Sequence, residues 1–326
     1  MPREMMYGEA IATAIIEEMH RDSDVIFYGQ NMGMTERDPM LKMFGKDRIR
    51  LTPISETAEL GIAIGAAMTG LRPIVELWMS EFMLVAFNQV INEAPRLRYM
   101  SGGQIKVPLV FKAGYGFAAG WAGQHSNCTY HLLMGTPGLK VVLPSTPADA
   151  LGLMKSAIRD DNPVFFLQHF LLTLDKGPVP DGEHLVPFGV ADIKRPGTDV
   201  TIVATGWMVQ KSLAAAELLA KDGISAEVID PRTLNPLDVD TIVNSVKKTG
   251  RLVLVDQAPR HASAAIVIAG EIAEHAFQYL KAPVRLVTAA NTSVPFSEPL
   301  ENFVLPNEEK IIQAVKSILT KSAAAV

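Results

Sequence analysis

Short apolar runs of strand length alternate with longer segments of helical periodicity along the first half of this chain. Residues 25–29 and 74–78 have the composition of buried strands, and residues 56–69 between them that of a helix ended by Gly70. Consecutive parallel strands need such a crossover, so the alternation predicts an α/β fold whose parallel sheet is covered by helices. The other elements predicted in this half are strands at residues 107–112, 140–143 and 164–167 and helices at residues 10–20, 80–99 and 146–159.

A second run of alternation follows residue 198. Its predicted strands are residues 199–204, 226–229, 252–255 and 284–287, and its predicted helices are residues 209–221, 239–248 and 264–278. Between the two runs, residues 172–198 are rich in proline, glycine and charged side chains, which we interpret as a linker. The sequence therefore predicts two α/β domains, residues 1–180 and residues 195–326.

Composition narrows the class of protein. A 326-residue chain with 48% hydrophobic residues can build sizeable cores, and a net charge of −5 argues against a nucleic-acid partner. Cys128 is the single cysteine, so an internal disulfide is excluded and a reducing compartment is expected. No apolar run reaches the roughly 20 residues that span a bilayer. Met1-Pro2-Arg3-Glu4 lacks the features of a signal peptide, so we expect a soluble cytoplasmic protein without a membrane partner.

Glu56 opens the Ala/Gly-rich helix after Pro53-Ile54-Ser55. A lone acid facing an apolar cleft can bind and protonate a heterocyclic ring nitrogen. An acid in the first turn of a helix is also favoured by the helix dipole, so position alone leaves both interpretations open. The sequence contains neither a glycine-rich phosphate loop nor a GDG…NN run for a magnesium diphosphate. We therefore predict one half of an active site, completed by another polypeptide.

A second candidate is the glycine-rich segment at residues 113–127, which follows a predicted strand. Open α/β sheets bind ligands beyond the carboxyl ends of their strands, and long loops in compact domains are usually functional. The segment contains His125, a residue type suited to proton transfer at neutral pH. A loop histidine satisfied by backbone groups is the alternative. Cys128 has no adjacent base in the sequence and is interpreted as an inert thiol.

Several motifs, in the right order and spanning essentially the whole chain, resemble the β subunits of thiamine-diphosphate-dependent 2-oxo acid dehydrogenase E1 components. They are Ser55-Glu56, GQHS at residues 123–126, TPGLKVV at 136–142, AIRDDNPV at 157–164, IDPRTLNPLD at 229–238 and KTGRLV at 248–253. The resemblance implies a thiamine-binding pyrimidine-type domain followed by a transketolase C-terminal-like α/β domain.

Within this family the chain is most similar to the acetoin dehydrogenase branch, at Gln124-His125-Ser126, at Val255-Asp256 and at residues 287–289 and 295–297. Pyruvate and branched-chain 2-oxo acid dehydrogenase β subunits are the alternatives, as is a non-catalytic binding subunit. Three departures stand out. Gln30-Asn31 replaces a usual acidic pair, Asn127 replaces a common Gln, and Phe170-Leu171 replaces a usual basic residue.

The resemblance also implies roles for individual residues. Glu56 matches the glutamate that hydrogen-bonds N1′ of the aminopyrimidine and promotes loss of the thiazolium C2 proton. Phe82 matches an aromatic residue near the pyrimidine, although its helical spacing from Val85 and Gln89 also fits a core position. His125 matches an active-site histidine where intermediates are protonated and an acceptor approaches.

The implied cofactor is thiamine diphosphate, with Mg²⁺ and the diphosphate held by an E1 α subunit in an α2β2 heterotetramer. The implied reaction is cleavage of a small-molecule substrate next to a carbonyl, with transfer of the acyl or hydroxyalkyl group to a lipoyl-bearing E2 acyltransferase. A free-standing transketolase-like enzyme is disfavoured, since such chains carry their own diphosphate motif.

A structural K⁺ site is also implied by the resemblance, with oxygen ligands that suit a hard monovalent cation. Its ligands would be the side chains of Asp160 and Asn162 and the carbonyl groups of Leu109, Ala157 and Ile158. The Asp-Asp-Asn-Pro composition alone fits an ordinary turn at the end of a helix equally well.

Overall fold

The computed structural model describes residues 3–30, 37–116 and 120–319, without the side chains of residues 37, 38 and 262. The chain divides into two compact units. The first unit runs to Tyr115 and resumes over Leu132–Phe188, and the second holds Gly116–His131 and the chain from Gly189 onward. Among the described residues, every helix is too short or too polar to cross a membrane.

The first unit contains both strands and helices from the start of the described chain. Its strands are β1 (Arg3–Met6), β2 (Val25–Gln30), β3 (Ile49–Thr52), β4 (Arg72–Met79), β5 (Val110–Tyr115), β6 (Lys140–Val142), β7 (Val164–His169) and β8 (Lys176–Val179). Its helices are α1 (Tyr7–Arg21), α2 (Arg37–Phe44), α3 (Glu56–Met68), α4 (Leu97–Met100), α5 (His131–Met134) and α6 (Pro147–Arg159).

Six strands of this unit form a parallel sheet in the order β6-β7-β5-β4-β2-β3, which confirms the predicted sheet. Strands β2, β5 and β7 are buried along their whole length, as expected for strands covered on both faces. Because all six run the same way, their carboxyl ends meet at one edge. Gln30 ends β2 at this edge, and Glu56 opens the helix that follows β3.

The helix predicted from Ser80 towards Tyr99, bent at Pro95, is irregular in the structure. Ser80–Ala86 is a 3-10 segment, and Gln89–Glu93 forms a wider π turn. The Ala94 N–H donates to the Gln89 carbonyl five residues back, at 3.1 Å. Pro95 explains the break, since its ring excludes a regular helical turn before it and it lacks an N–H.

The second unit is a smaller α/β layer structure. Its strands are β9 (Asp192–Arg195), β10 (Val200–Ala204), β11 (Ala226–Asp230), β12 (Thr233–Asn235), β13 (Leu252–Pro259) and β14 (Arg285–Ala289). Its helices are α7 (Trp207–Lys221), α8 (Val239–Thr249), α9 (Ala264–His275), α10 (Glu298–Val304) and α11 (Glu308–Leu319).

Five of these strands form a sheet in the order β14-β13-β10-β11-β9, parallel except for β9 at one edge. Alternate residues of β10 face opposite sides. Ile202 packs in a core with α7 and α11, and Val203 in a core with α8 and α9. The sheet is therefore covered on both faces, as its apolar strands predict.

Residues 172–198, which we interpreted as a linker, contain two short strands. Lys176–Val179 pairs antiparallel with β1 in the first unit, and Asp192–Arg195 pairs antiparallel with β11 in the second. Gly177 and Pro178 are tolerated in the first of these strands because it is at the edge of its sheet, where one row of backbone groups needs no partner.

Candidate active site

The Glu56 carboxylate lies at the carboxyl edge of the first sheet, with 9% of the residue exposed. Gln30 Nε2 donates a hydrogen bond to Glu56 Oε1 at 3.0 Å. Among the described residues, no donor contacts Glu56 Oε2. A carboxylate with one oxygen held and the other available fits the nitrogen of a heterocyclic ring, which needs a single, oriented hydrogen-bonding partner.

The segment that carries Phe82 is fastened to the start of α3. Thr57, next to Glu56, donates from its hydroxyl group to the Val85 carbonyl at 2.9 Å. Phe82 is half-buried in the same 3-10 segment, Ser80–Ala86. The structure therefore places the predicted acid and the predicted aromatic residue on two adjoining elements at one edge of the sheet.

A second buried acid, Glu59, lies one turn along α3 and is 2% exposed. The Thr52 hydroxyl donates to Glu59 Oε1 at 2.7 Å, and the Tyr28 hydroxyl donates to the Glu59 carbonyl at 3.1 Å. Burial, with a smaller contribution from the charge of Glu59, raises the pKa of Tyr28, so its hydroxyl remains a neutral donor. Glu59 is therefore held by the sheet edge.

Below this edge, the path of β2 is fixed by close backbone packing. A Cβ at Gly29, whose φ is 155°, would lie 2.6 Å from the Glu76 carbonyl oxygen of β4. The Glu76 side chain pairs with Lys112 Nζ on β5 at 2.6 Å, and both side chains are 3% exposed. Only glycine fits at position 29, which brings Gln30 to the strand end next to Glu56.

His125 belongs to the second unit, so the sequence-predicted acid and histidine lie in different compact units. It is half-buried after a short 3-10 turn, Ala122–Gln124. Ala122 has a φ of 58°, an unfavourable conformation for alanine that is often found at functional sites. Residues 117–119 of the predicted loop lie outside the described residues, as does Asn31.

Both ends of the histidine segment are tied down within the second unit. The Gly120 N–H donates to Glu301 Oε2 at 3.1 Å. Tyr130 donates a short hydrogen bond to Asp256 Oδ1, which also accepts from the Thr205 hydroxyl at 3.3 Å. Asp256 is fully buried, which raises the pKa of its carboxyl, while the Tyr130 hydroxyl opposes that rise. Tyr130 and Asp256 thus anchor this segment to the end of β13.

The five residues predicted to bind K⁺ surround one turn after α6. The Leu109 carbonyl accepts from the Val164 N–H at 2.9 Å, and the Ala157 carbonyl from the Asp160 N–H at 3.3 Å. The Arg72 guanidinium donates to the Ile158 and Asp160 carbonyls, both at 3.1 Å. A carbonyl oxygen has two lone pairs, so one contact leaves it able to bind a cation.

The two predicted side-chain ligands are committed to other contacts. Asp160 Oδ2 pairs with Lys140, and Asp160 Oδ1 accepts from the Asn162 backbone at 2.8 Å. Asn162 Oδ1 accepts from Arg98 Nη1 at 2.8 Å. Asp160 Oδ2 and Asn162 Oδ1 each keep a second lone pair, as the carbonyl oxygens do, and the K⁺ site with all five ligands stays a prediction.

Comparisons with known proteins cover both units. Residues 3–172 match the family described as transketolase, pyrimidine binding domain, and residues 189–311 the family described as transketolase, C-terminal domain. The acetoin:2,6-dichlorophenolindophenol oxidoreductase subunit beta of Cupriavidus necator is 44% identical over 98% of this chain and 98% of its own length. The pyruvate dehydrogenase E1 component subunit beta of Rickettsia felis is 43% identical over 95% of this chain and 97% of its own.

This chain is an E1-type β subunit of the thiamine-diphosphate-dependent dehydrogenase family. A solved structure described as a split gene transketolase, inactive beta4 tetramer, aligns with a TM-score of 0.82 over 97% of this chain and 98% of that chain. Its identity of 22% shows a shared fold alone. The predicted family, the two-part α/β fold and the enzyme class are confirmed.

Sequence reasoning about this E1-type β subunit missed three contacts. Gln30 is noticeable in the sequence only as a departure from an acidic pattern, and its bond to Glu56 joins residues that are 26 positions apart. The Tyr130–Asp256 bond spans 126 positions. Arg72 follows a helix-ending glycine in the sequence, and that pattern carries no signal for its contacts with the turn after α6. Each of these contacts joins residues that are distant in the sequence and come together only in the fold.

Proposed function

We propose that this chain supplies the aminopyrimidine half of a thiamine diphosphate site shared with an E1 α subunit, in an α2β2 heterotetramer. The observation that carries the proposal is the geometry of Glu56, with Oε1 held by Gln30 at 3.0 Å and Oε2 open among the described residues. Thiamine diphosphate, when bound, supplies an electron sink for cleavage next to a carbonyl. Glu56 would hold the proton shared with N1′ of the ring, and Phe82 would pack near that ring.

His125 would serve a later step, by moving a proton to or from the substrate oxygen while a lipoyl-bearing E2 acyltransferase approaches as the acceptor. Its segment is suited to this because it is anchored at Gly120 and Tyr130, which limits the movement of the ring between them. The diphosphate and Mg²⁺ would be held by the α subunit, since this chain has no sequence motif for either.

Exposed residues on one face of α3 support the proposal that a partner chain binds there. Gly61 and Gly65 are exposed in the middle of this helix, and a Cβ on either would meet no described atom within 4 Å beyond the helix backbone. Ile62 beside them is 63% exposed and Ile54 before the helix is 72% exposed. Glycine inside a helix costs about 1 kcal/mol relative to alanine, and close approach of a second chain would account for its presence here.

Acetoin, or a similarly small acyloin or diketone, is the proposed substrate, on the similarity at Gln124-His125-Ser126 and Asp256. Pyruvate is a second candidate, because the uncharged Gln30 beside Glu56 reduces negative charge where an anionic 2-oxo acid would approach. Identities of 44% and 43% to an acetoin and a pyruvate relative do not separate the two. A cytoplasmic location and a K⁺ ion on the carbonyl groups of the turn after α6 belong to the same proposal.

The test begins with calorimetry of the purified chain with thiamine diphosphate and Mg²⁺, before and after addition of the α subunit. Tight binding is expected only for the pair, because this chain lacks a phosphate cradle. The pair is then assayed with acetoin, pyruvate and 2-oxoisovalerate, and acetoin is expected to have the highest kcat/KM.

Two outcomes would contradict different parts of the proposal. Micromolar binding of the cofactor by the isolated chain would contradict the shared site. A tenfold preference for either acid, about 1.4 kcal/mol of transition-state discrimination, would contradict acetoin and leave the shared site standing.

A further inference from the structure

Gln30 is a buried amide in contact with the principal carboxylate of the site. It is 2% exposed, and its Nε2 atom lies 3.0 Å from Glu56 Oε1. A buried amide is costly unless it is hydrogen-bonded, and a bond from an amide to a carboxylate is stronger than one between neutral groups. Gln30 therefore has both the position and the chemistry to fix one oxygen of Glu56.

The backbone below Gln30 has little freedom to move. Strand β2 lies between β3 and β4, and Gln30 is paired with Thr52 of β3. One residue earlier, Gly29 packs so closely on Glu76 that a Cβ would lie 2.6 Å from its carbonyl oxygen. The opposite side of the contact is also held, since Thr57 ties the start of α3 to the Val85 carbonyl at 2.9 Å. The Gln30–Glu56 contact thus joins two fixed elements.

We propose that Gln30 is a positioning residue for Glu56. Its amide holds Oε1, which leaves Oε2 as the oxygen that faces the cofactor ring, and it does so without adding a second acid. The inference rests on the proposed function of Glu56. The substitution Gln30→Glu would place two carboxyl groups within hydrogen-bonding distance, and such a pair shares one proton.

Other charged and titratable groups lie on the elements that pack against α3, and they remain the same in all variants below. Glu76 is neutralised by Lys112, and Glu59 accepts from Thr52. Besides Glu56, the complete set on α3, β2, β3, β4 and the segment from Ser80 to Glu93 is Tyr28, Arg50, Glu59, Arg72, Glu76, Glu81 and Glu93. An effect specific to position 30 therefore reports the Glu56 contact.

The test uses the complex of this chain with its α subunit, loaded with thiamine diphosphate and Mg²⁺ and without substrate. The rate of deuterium exchange at the thiazolium C2 atom is measured across pH, together with cofactor affinity by calorimetry. Gln30→Leu removes the donor at every pH, so exchange should slow by about tenfold or more while the melting temperature of the isolated chain stays within a few degrees.

Gln30→Glu should behave differently with pH. Below the pH at which the shared proton leaves, the introduced carboxyl group is protonated, so it can donate to Glu56 and should support exchange near the wild-type rate. Above that pH the two carboxylates repel, so a new loss of exchange should appear on the alkaline side. Gln168→Glu is the matched control. It places the same charge on β7 of the same sheet, three strand spacings or about 14 Å from β2, and should leave the profile unchanged.

The outcomes separate this inference from the proposed function. Wild-type exchange in Gln30→Leu, or a wild-type profile in Gln30→Glu, would overturn the role of Gln30 even if Glu56→Gln abolishes exchange. Normal exchange in Glu56→Gln would instead overturn the role of Glu56. If Gln30→Leu does not fold, Gln30→Glu decides alone, because its low-pH rescue and high-pH loss occur within one folded protein.

Discussion

Two acids in the first turn of α3 show how contacts assign different roles to similar residues. Glu56 and Glu59 are both buried and both lie near the positive end of the helix dipole. Glu59 Oε2 is buried without a partner among the described residues, and its Oε1 is taken by Thr52. Glu56 has one oxygen held by Gln30 and one available. The two acids differ because Glu56 contacts Gln30 at the end of β2, whereas Glu59 contacts Thr52 at the end of β3.

Glu56→Gln should therefore reduce activity far more than Glu59→Gln. The amide keeps the shape of Glu56 but cannot share a proton with the ring nitrogen, which should cost about 3 kcal/mol or on the order of 10²-fold in rate. Steady-state turnover of the α-reconstituted complex measures the effect. Glu59→Gln, three residues away in the same turn, is the control and should stay within a fewfold of the wild type. Equal losses in the two variants would contradict the assignment.

The roles at this scale were only partly readable from the sequence. Glu56 could be predicted because its acid type, its position before a helix and its family motif agree. The identity of its partner could not, since Gln30 and Glu56 come together only when β2 and β3 are neighbours in the sheet. The contacts of the predicted K⁺ ligands could not be predicted for the same reason, because Lys140 and Arg98 approach from other elements.

One end of the segment around His125 is anchored by a buried acid, Asp256. Asp256 accepts from Tyr130, Thr205 and the Ala258 N–H, the last at 3.1 Å. Burial raises the pKa of Asp256, so the folded protein holds this proton more tightly than the unfolded chain does. The ionised carboxyl is therefore a cost to folding above the folded-state pKa, and the Tyr130 donor reduces that cost.

Tyr130→Phe should destabilise the protein in a pH-dependent way. The donor bonds the ionised form of Asp256 more strongly than the neutral form, so a loss of about 1–3 kcal/mol is expected above the folded-state pKa and should shrink as the pH falls through it. Urea unfolding at several pH values measures the difference. Tyr7→Phe is the matched control, because the buried Tyr7 hydroxyl donates to the neutral Pro144 carbonyl at 3.1 Å and its loss should not vary with pH. A constant loss in both variants would argue against the role of Asp256.

The turn after α6 permits a test of the proposed K⁺ ion. If 150 mM K⁺ exceeds the dissociation constant about tenfold, the ion adds about 1.4 kcal/mol, so replacing it with Li⁺ should lower the melting temperature by roughly 3 °C. Asn162→Ala should keep this response, because its side chain is bonded to Arg98 and the carbonyl groups remain. Loss of the response in Asn162→Ala would show that the side chain is a ligand. The absence of a response in the wild type would contradict a K⁺ ion at this turn.

Among the elements, those with local signals were the ones predicted. The helix over residues 146–159 is confirmed as α6. The residues that cap it are close in the sequence: Thr146 Oγ1 accepts from the Asp149 N–H at 3.2 Å, and Pro147 is in the first turn. The segment from Ser80 is less regular than predicted, and its bond to Thr57 joins residues 28 positions apart. Strands β1 and β8 pair across 170 to 176 residues, and neither has a pattern that indicates this.

At the scale of the molecule, the exposed glycines of α3 link stability to assembly. Gly61→Leu should stabilise the isolated chain, by up to about 1 kcal/mol, since leucine is the better helix former and meets open space. The same side chain should block a close-packed partner, so its affinity for the α subunit should fall at least tenfold. Thermal melting and calorimetric titration measure the two effects.

Gly270→Leu is the matched control for this experiment. Gly270 is also an exposed glycine in a helix interior, in α9, where a Cβ would meet no described atom beyond the helix backbone within 4 Å. It should give the gain in stability without the loss of α affinity. A Gly61→Leu chain that assembles normally would show that the partner binds elsewhere.

One rigid helix carries both the acid and the exposed glycines, with nine residues or about 14 Å between Glu56 and Gly65. Under the proposed division of the site, this helix meets only the ring that every reaction of the cofactor has in common. The carbon compound being cleaved would be recognised largely by the other polypeptide. A change of substrate specificity would then require changes mainly in the α subunit, and the same β subunit would serve complexes with different substrates.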